Sequence, residues 1–548
     1  MPLSNSSAPA IGVSLIRGPL AALTAACLLQ GVAVAATLPA PPQTFDSSYA
    51  APHGQTWNVA AGDDLQATLN KAQLGDTIVL QAGASWTGPF TLPNKTSGSG
   101  WIYVISSQLA NLPPPGTRVS PANAVNMPKI LAPKGLSAIG TVTNSHHYRF
   151  VGIEFATVAG APTVYQVVNL DNSDPSPATL PHHFIFDRCY VHGDPTANHR
   201  RGIVMNAAYV AVVDSYISDF QEAGADSQGL FAYNTTGPIQ IRNNFIEAAG
   251  ENVMFGGADS RAATLVPSDI EIRGNHFFKP LSLIPSPFTV KNLLEFKDTK
   301  RAVVTGNVFE NSPLKSQNGF ALLITPRNQN GTAPWSVVSD IAVVGNTFIN
   351  VGSGFAILGM DAPNPSQLTE RLLIRNNVLG VTGLNGANGR VFQLSGGGSD
   401  YTIDHNTAIN TSGPPLSSAS CLGMVESTTK KITNVVFTNN LSTRTDYGFF
   451  GSGVGQGTAT LTANFTNWTF AKNVLVDAPG NVYPPGNFFP NGVASVHFVN
   501  YAGGNYALGG DSPYKNAGTD GADIGATGGA PVVNNTIVPN PPANVVVK

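Results

Sequence analysis

An asparagine that returns about every thirty residues constrains this chain more than any other feature. It stands in Ile241-Arg242-Asn243-Asn244-Phe245, Ile272-Arg273-Gly274-Asn275-His276, Val304-Thr305-Gly306-Asn307-Val308, Val344-Gly345-Asn346-Thr347, Ile374-Arg375-Asn376-Asn377-Val378, Ile403-Asp404-His405-Asn406, Phe437-Thr438-Asn439-Asn440 and Ala471-Lys472-Asn473-Val474. The steps are 31, 32, 39, 31, 29, 34 and 33 residues. Upstream, Ser215 and Cys189 take the same column. Each unit offers two or three short β-type runs between Asn, Gly and Pro turns. With 57 Gly and 41 Pro in 548 residues there is no room for an ordinary helix in each unit. Helical repeats are excluded and an all-β solenoid remains. An Asn at one turn can bond the turn backbone and the same side chain one rung away, and it tolerates left-handed backbone angles. The ladder is therefore structural.

Only 11% of residues are charged and the net charge is −3, which excludes a phosphate-neutralising surface and hence nucleic acid as partner. The N-terminus carries Arg17, an apolar run from Pro19 to Ala36 and the triplet Ala33-Val34-Ala35. This predicts a signal peptide over 1–35 and a secreted or periplasmic protein, with lipid anchoring at Cys27 as the minority reading. No other segment is apolar enough to span a bilayer, so no membrane association is expected after cleavage, and a monomer is expected. Residues 36–60 read as a linker.

Asp63-Asp64-Leu65-Gln66-Ala67-Thr68-Leu69-Asn70-Lys71-Ala72 places Leu65, Leu69 and Ala72 on one face of a short helix that ends near Gly75. Its apolar stripe would cap the open first rung, formed by Thr77-Ile78-Val79-Leu80. The capping helix, Gly75-Asp76-Thr77-Ile78-Val79-Leu80, the Asn-turn repeat and the closing Asp511-Ser512-Pro513 and Asp523-Ile524-Gly525 together resemble the right-handed parallel β-helix proteins of the pectate-lyase-like superfamily. The resemblance covers 61–526 and leaves 527–548 as a Pro/Asn-rich tail. It implies the fold, and it leaves activity open among lyases, hydrolases, epimerases and adhesins. Stacking places Cys189 and Cys421 about seven rungs apart, near 34 Å at about 4.8 Å per rung, so both are expected as free, buried thiols.

Departures from the Asn, Gly and Val background concentrate between Asp187 and Arg327. Aligning Gly202-Ile203-Val204-Met205, Gly229-Leu230-Phe231-Ala232, Asn252-Val253-Met254-Phe255 and Asn292-Leu293-Leu294-Glu295 puts Arg201, Gln228, Glu251 and Lys291 in one column. Arg200 and Asp226 come just before it; Asp259, Arg261 and Lys297 just after. Glu295 and Lys297 share a strand face and are expected to point outward. An acidic sugar needs a cation against its carboxylate and a base for the proton at C5, after which elimination follows. Lys291, Lys297, Arg201 and Glu251 are the catalytic candidates. Arg200, Asp226, Gln228, His199, Arg327 and Trp335 are the substrate-binding ones, the last two on the long 325–335 loop. Asp226, Glu251, Asp259 and Glu295 could hold a Ca²⁺.

His192 and His276 are weaker general-base candidates, His182-His183 reads as structural, and no histidine spacing suggests zinc. The pectin-hydrolase motifs are absent, and Ile403-Asp404-His405, similar to a pectate-lyase motif, lies in the Asn column. Gly250-Glu251 is similar to the Gly-Glu of the alginate and chondroitin lyases, but Asp259 stands where their Lys is expected. Ala249 to Asp259 also resembles a group of secreted bacterial β-helix proteins that supplies no activity. The reading is a polysaccharide lyase acting on a uronate-containing glycan. A non-catalytic glycan-binding or surface scaffold is the alternative, and a glycoside hydrolase with Asp226 and Glu251 as paired carboxylates comes third.

Overall fold

The computed structural model describes residues 36–161, 163–412 and 419–527. The predicted signal peptide, Cys27 and all but Thr527 of the tail lie outside them. Short β-branched and aromatic runs such as Ala208–Val213 and Phe320–Ile324 cannot bury a face alone, and here they stack into three long sheets. The first has 14 strands, from Thr56–Val59 to Phe465–Ala471, and the second and third have 13 each. Within each rung the chain runs from first sheet to third to second, and successive rungs pair in parallel. Among the described residues, antiparallel strand pairing is confined to Phe449–Gly451 with Gly455–Gln456 and to the C-terminal hairpin of Phe498–Asn500 and Asn505–Leu508, beside one isolated antiparallel bridge between His199 and Gln221. The fold is a right-handed parallel β-helix. Its interior is apolar, with stacks such as Phe277–Phe309 at 4.6 Å and Phe309–Phe348 at 4.7 Å between ring centroids.

The asparagine ladder lies at the turn from first to third sheet. Asn307 donates from its backbone and its Nδ2 to Asn346 Oδ1, both at 2.9 Å, and Asn346 donates in the same way to Asn377. The ladder extends through Cys189 and Ser215 upstream, where the Cys189 amide donates to Ser215 Oγ at 3.0 Å and the Ser215 amide to Asn244 Oδ1 at 2.8 Å. The left-handed backbone belongs to the residue before the ladder Asn: Asn243, Gly274, Gly306, Gly345, Asn376, His405, Asn439 and Lys472 all have φ between 52° and 68°. The dipeptide, not the lone Asn, is the motif. One residue makes the corner and the next bonds the rungs.

The capping helix spans Leu65–Lys71, with Asp64 accepting from the Ala67 amide at 2.9 Å and Leu65 and Leu69 buried. The first rung begins one strand earlier than expected, at Thr56–Val59, which pairs with Thr77–Leu80.

Residues 36–50, expected as part of a linker, instead lie across the first sheet. The amides of Thr37, Ala40 and Gln43 donate to Asp400, Asp340 and Asp269, while Arg149 donates to the carbonyls of Ser47 and Ser48, and Tyr103 Oη to that of Ala50. The nine inter-strand steps crossed, at about 4.8 Å each, match thirteen extended residues at about 3.3 Å. The segment escapes a pattern search because its own backbone makes these bonds to acids hundreds of residues away. A second seven-residue helix, Thr458–Asn464, was not expected; it buries Leu461 near the C-terminal end of the second sheet. Cys189 and Cys421 are free and buried, and burial pushes both thiols up to about 12.

Candidate functional site

The charged column sits on the second sheet, whose strands Arg201–Val204, Gln228–Ala232, Glu251–Phe255 and Leu294–Phe296 are successive neighbours. Arg201 pairs with Gln228 and Gln228 with Glu251 in register, as the sequence predicts. The next rung does not follow: Val253 pairs with Leu294 and Met254 with Glu295, one residue later than the alignment. Leu293 and Leu294 are both fully buried, so an apolar pattern cannot tell which of them continues the column. Lys291 therefore lies just outside the strand, and Glu295 falls beside Met254.

The side chains nevertheless converge. Arg201 Nε donates to Gln228 Oε1 at 2.7 Å, and its guanidinium lies 4.4 Å from the Phe231 ring centre. Gln228 Nε2 donates to Glu251 Oε2 at 2.7 Å. Lys291 Nζ stands 2.6 Å from Asp226 Oδ1 and 3.5 Å from Glu251 Oε1. Lys297 Nζ is 3.4 Å from Glu295 Oε2 and donates to Thr325 Oγ1 at 2.8 Å. Glu251 and Glu295 are buried, and each keeps an Oε1 with no hydrogen-bond partner. Solvent reaches the group through Asp226, whose side chain is 39% exposed, and through Lys291 and Lys297, each 17% exposed.

Burial, reinforced by the charges of Glu295 and Asp226, pushes the Glu251 carboxyl up to about 8. Burial opposes the charge of Lys291, but Glu251 and Asp226 together outweigh it and hold the amine above its ordinary value. Behind the column lies Lys279, fully buried, whose Nζ donates to the carbonyls of Ala248, Ala249 and Gly250 and to Asn252 Oδ1 at 2.7–3.0 Å. Burial pulls its pKa down to about 7. Four acceptors and no donor surround it, which is the environment of an ammonium. Lys279 fixes the turn that presents Gly250-Glu251. Sequence reading missed it because a lysine after a Phe-Phe run reads as a solvated strand end.

Other candidates are engaged elsewhere. Arg200 is held bidentately by Glu222 at 2.6 and 2.7 Å. His199 is buried, with Nε2 3.3 Å from Thr157 Oγ1, and cannot meet a polymer. Asp259 accepts from the amides of Asn330 and Thr332 and from the Thr332 hydroxyl, so it shapes the long loop and does not join the other three acids. Trp335 Nε1 donates to Ser260 Oγ at 2.9 Å, pinning the same loop, and Arg327 pairs with Asp361 at 3.2 Å. His192 and His276 face Glu154 and Glu310. Glu251 is fully buried and holds Gln228 and Lys291 beside it.

Of the four acids expected around a Ca²⁺, Asp259 is bonded to the 325–335 loop, and the Lys291 ammonium stands between Asp226 and Glu251. The same ammonium separates the two acids that a hydrolase would use.

No protein-family model matches the sequence, and no curated protein matches it. Among solved structures the chain is similar to the PL6 family alginate lyase AlyGC, with 13% identity and a TM-score of 0.47, covering 87% of this chain and 59% of that one. It is also similar to the GH87 α-1,3-glucanase of Streptomyces thermodiastaticus, with 12% identity and a TM-score of 0.45 over 82% of this chain and 69% of that one. A tailspike of the E. coli bacteriophage HK620 follows, with 10% identity and a TM-score of 0.45 over 80% and 72%.

Proposed function

We propose that this protein is a carbohydrate-active β-helix whose second sheet carries a polysaccharide lyase site for a uronate-containing glycan. The observation that carries the reading is the pair of partly exposed lysines, Lys291 and Lys297, on either side of the buried carboxyls of Glu251 and Glu295. Lys291, held as an ammonium, exchanges Asp226 for the sugar carboxylate and neutralises it, which acidifies the proton at C5. Lys297 takes that proton. It does so in its neutral form, from a position 3.4 Å from Glu295 Oε2 and 2.8 Å from Thr325 Oγ1. The C4–C5 double bond forms as the C4–O4 bond breaks, and the leaving oxygen takes a proton from solvent water. No Ca²⁺ enters this scheme.

A scaffold reading keeps one specific observation in its favour: Arg200, Arg261 and Arg327 are all satisfied by acids, at 2.6, 2.8 and 3.2 Å. The two readings separate in a panel of acidic polysaccharides followed by the ultraviolet absorbance of the unsaturated uronate. The lyase predicts a rise that Lys297→Ala abolishes and that Lys291→Ala weakens through kcat as well as KM. Absence of any rise, with binding retained, would leave the scaffold.

A further inference from the structure

Four histidines meet on a different sheet from the lysine cluster. His146 and His182 open consecutive strands of the first sheet and pair in register, with their rings stacked at 4.9 Å. His147 and His183 follow them, stacked at 4.3 Å. Within each rung the neighbours face each other, with Nδ1 to Nδ1 distances of 2.8 Å for His146 and His147 and 2.7 Å for His182 and His183. Ring nitrogens of His146, His147 and His182 all lie within 4.8 Å of one another, the one such grouping of three possible metal-ligating side chains among the described residues. The spacing in sequence hides this, because the partners are related by a rung of 36 residues and not by a loop or helix turn.

The grid is an exception within its own column. His147 and His183 have left-handed φ of 58° and 61°, and the same position in later rungs is held by Asp269, Arg301, Asp340 and Arg371 with φ of 54–60°. There each residue has an opposite charge beside it: Asp269 with Arg301 and Asp340 with Arg371, both at 2.7 Å. At the histidine end no carboxylate acts on His147 or His183, and only other imidazoles do. Trp101 packs on His147 at 5.1 Å and Tyr209 stacks on His183 at 4.3 Å, fixing the rings. His146, His182 and His183 line a cavity of about 510 Å³ that gives access from solvent.

We propose that His146, His147 and His182 form a binding site for a divalent transition metal of the zinc, copper or nickel class, with a fourth position open to the cavity. Imidazole nitrogens suit that class and not calcium or magnesium. Metal–nitrogen bonds of about 2.0–2.1 Å in a tetrahedral site put nitrogens about 3.3 Å apart. The His146 and His147 nitrogens stand 2.8 Å apart and those of all three residues within 4.8 Å of one another, so side-chain rotation suffices.

Zinc titration of tag-free, full-length protein by calorimetry tests the site. The expected result is one saturable equivalent, weakened at least about tenfold in His146→Gln and in His182→Gln and unchanged in His276→Gln, whose imidazole faces Glu310 on another sheet. No saturable equivalent, or one that survives when His146→Gln and His182→Gln are combined, would overturn the proposal. Should the variants misfold, copper added to the wild-type protein decides: nitrogen hyperfine splitting from several imidazoles supports the site, and a spectrum of oxygen ligands alone refutes it.

Discussion

Glu251→Gln should make this protein more stable at neutral pH and less active. The carboxyl is fully buried and pushed up to about 8 from an ordinary 4.5, so the native state keeps a proton that the unfolded chain has released. Stability therefore falls as pH rises above 4.5 and goes on falling until the folded group itself ionises near 8. At about 1.4 kcal/mol per pH unit, the loss accumulated by pH 7 is roughly 3 kcal/mol. Glutamine has the same shape and no proton to lose, so this part of the pH dependence disappears. Its amide oxygen can still accept from Gln228 Nε2, and its NH₂ takes the place of Oε1, 3.5 Å from Lys291 Nζ. Asp298 and Glu247, both pushed up to about 7 chiefly by burial, add slopes of the same sign, but they are common to both proteins and cancel in the difference. Denaturant midpoints measured for the two proteins from pH 5 to pH 8 should nearly coincide at the acid end and diverge steadily, with the variant higher. Parallel curves would mean that Glu251 is ionised in the native state, and the electrostatic account of the site would fail.

Three further outcomes follow from the structure. Asn346→Ala removes donors to Val304 O and Asn377 Oδ1 and leaves the buried Asn307 amide without an acceptor, costing about 2–4 kcal/mol; Asn491→Ala, on an exposed turn, should stay within about 0.5 kcal/mol by the same denaturation assay. Deleting residues 36–50 strips amide donors from Asp269, Asp340 and Asp400, and hydrogen exchange should show lower protection along the first sheet with the third sheet unchanged. Chelation should leave cleavage of the polysaccharide unchanged, since Lys291 stands where a Ca²⁺ would, and a chelator-sensitive rate would return the acids to a metal role.

The fold was legible because the ladder repeats. Asn244 to Asn473 fixed the rung length, and even the substitutes Cys189 and Ser215 proved to bond in the same chain of contacts. The free cysteines followed from that geometry. What resisted reading was whatever depends on one residue of register or on contacts remote in sequence. The equal burial of Leu293 and Leu294 concealed the slip that moved Lys291 out of the column. Asp259 and His199 have the right chemistry at the right distance along the chain, but one caps a loop and the other faces the interior. Lys279 and the histidine grid carry no motif, because their partners are assembled across rungs. The strap at 36–50 is extended and irregular, so no periodicity marks it.

The most direct test of the central claim is the mass of the products released from a uronate polysaccharide by the wild-type protein and by Lys297→Ala. Elimination predicts oligosaccharides lighter by one water than the hydrolytic products, formed by the wild type and absent with the variant. Products carrying the added water, or cleavage that persists without Lys297, would contradict it.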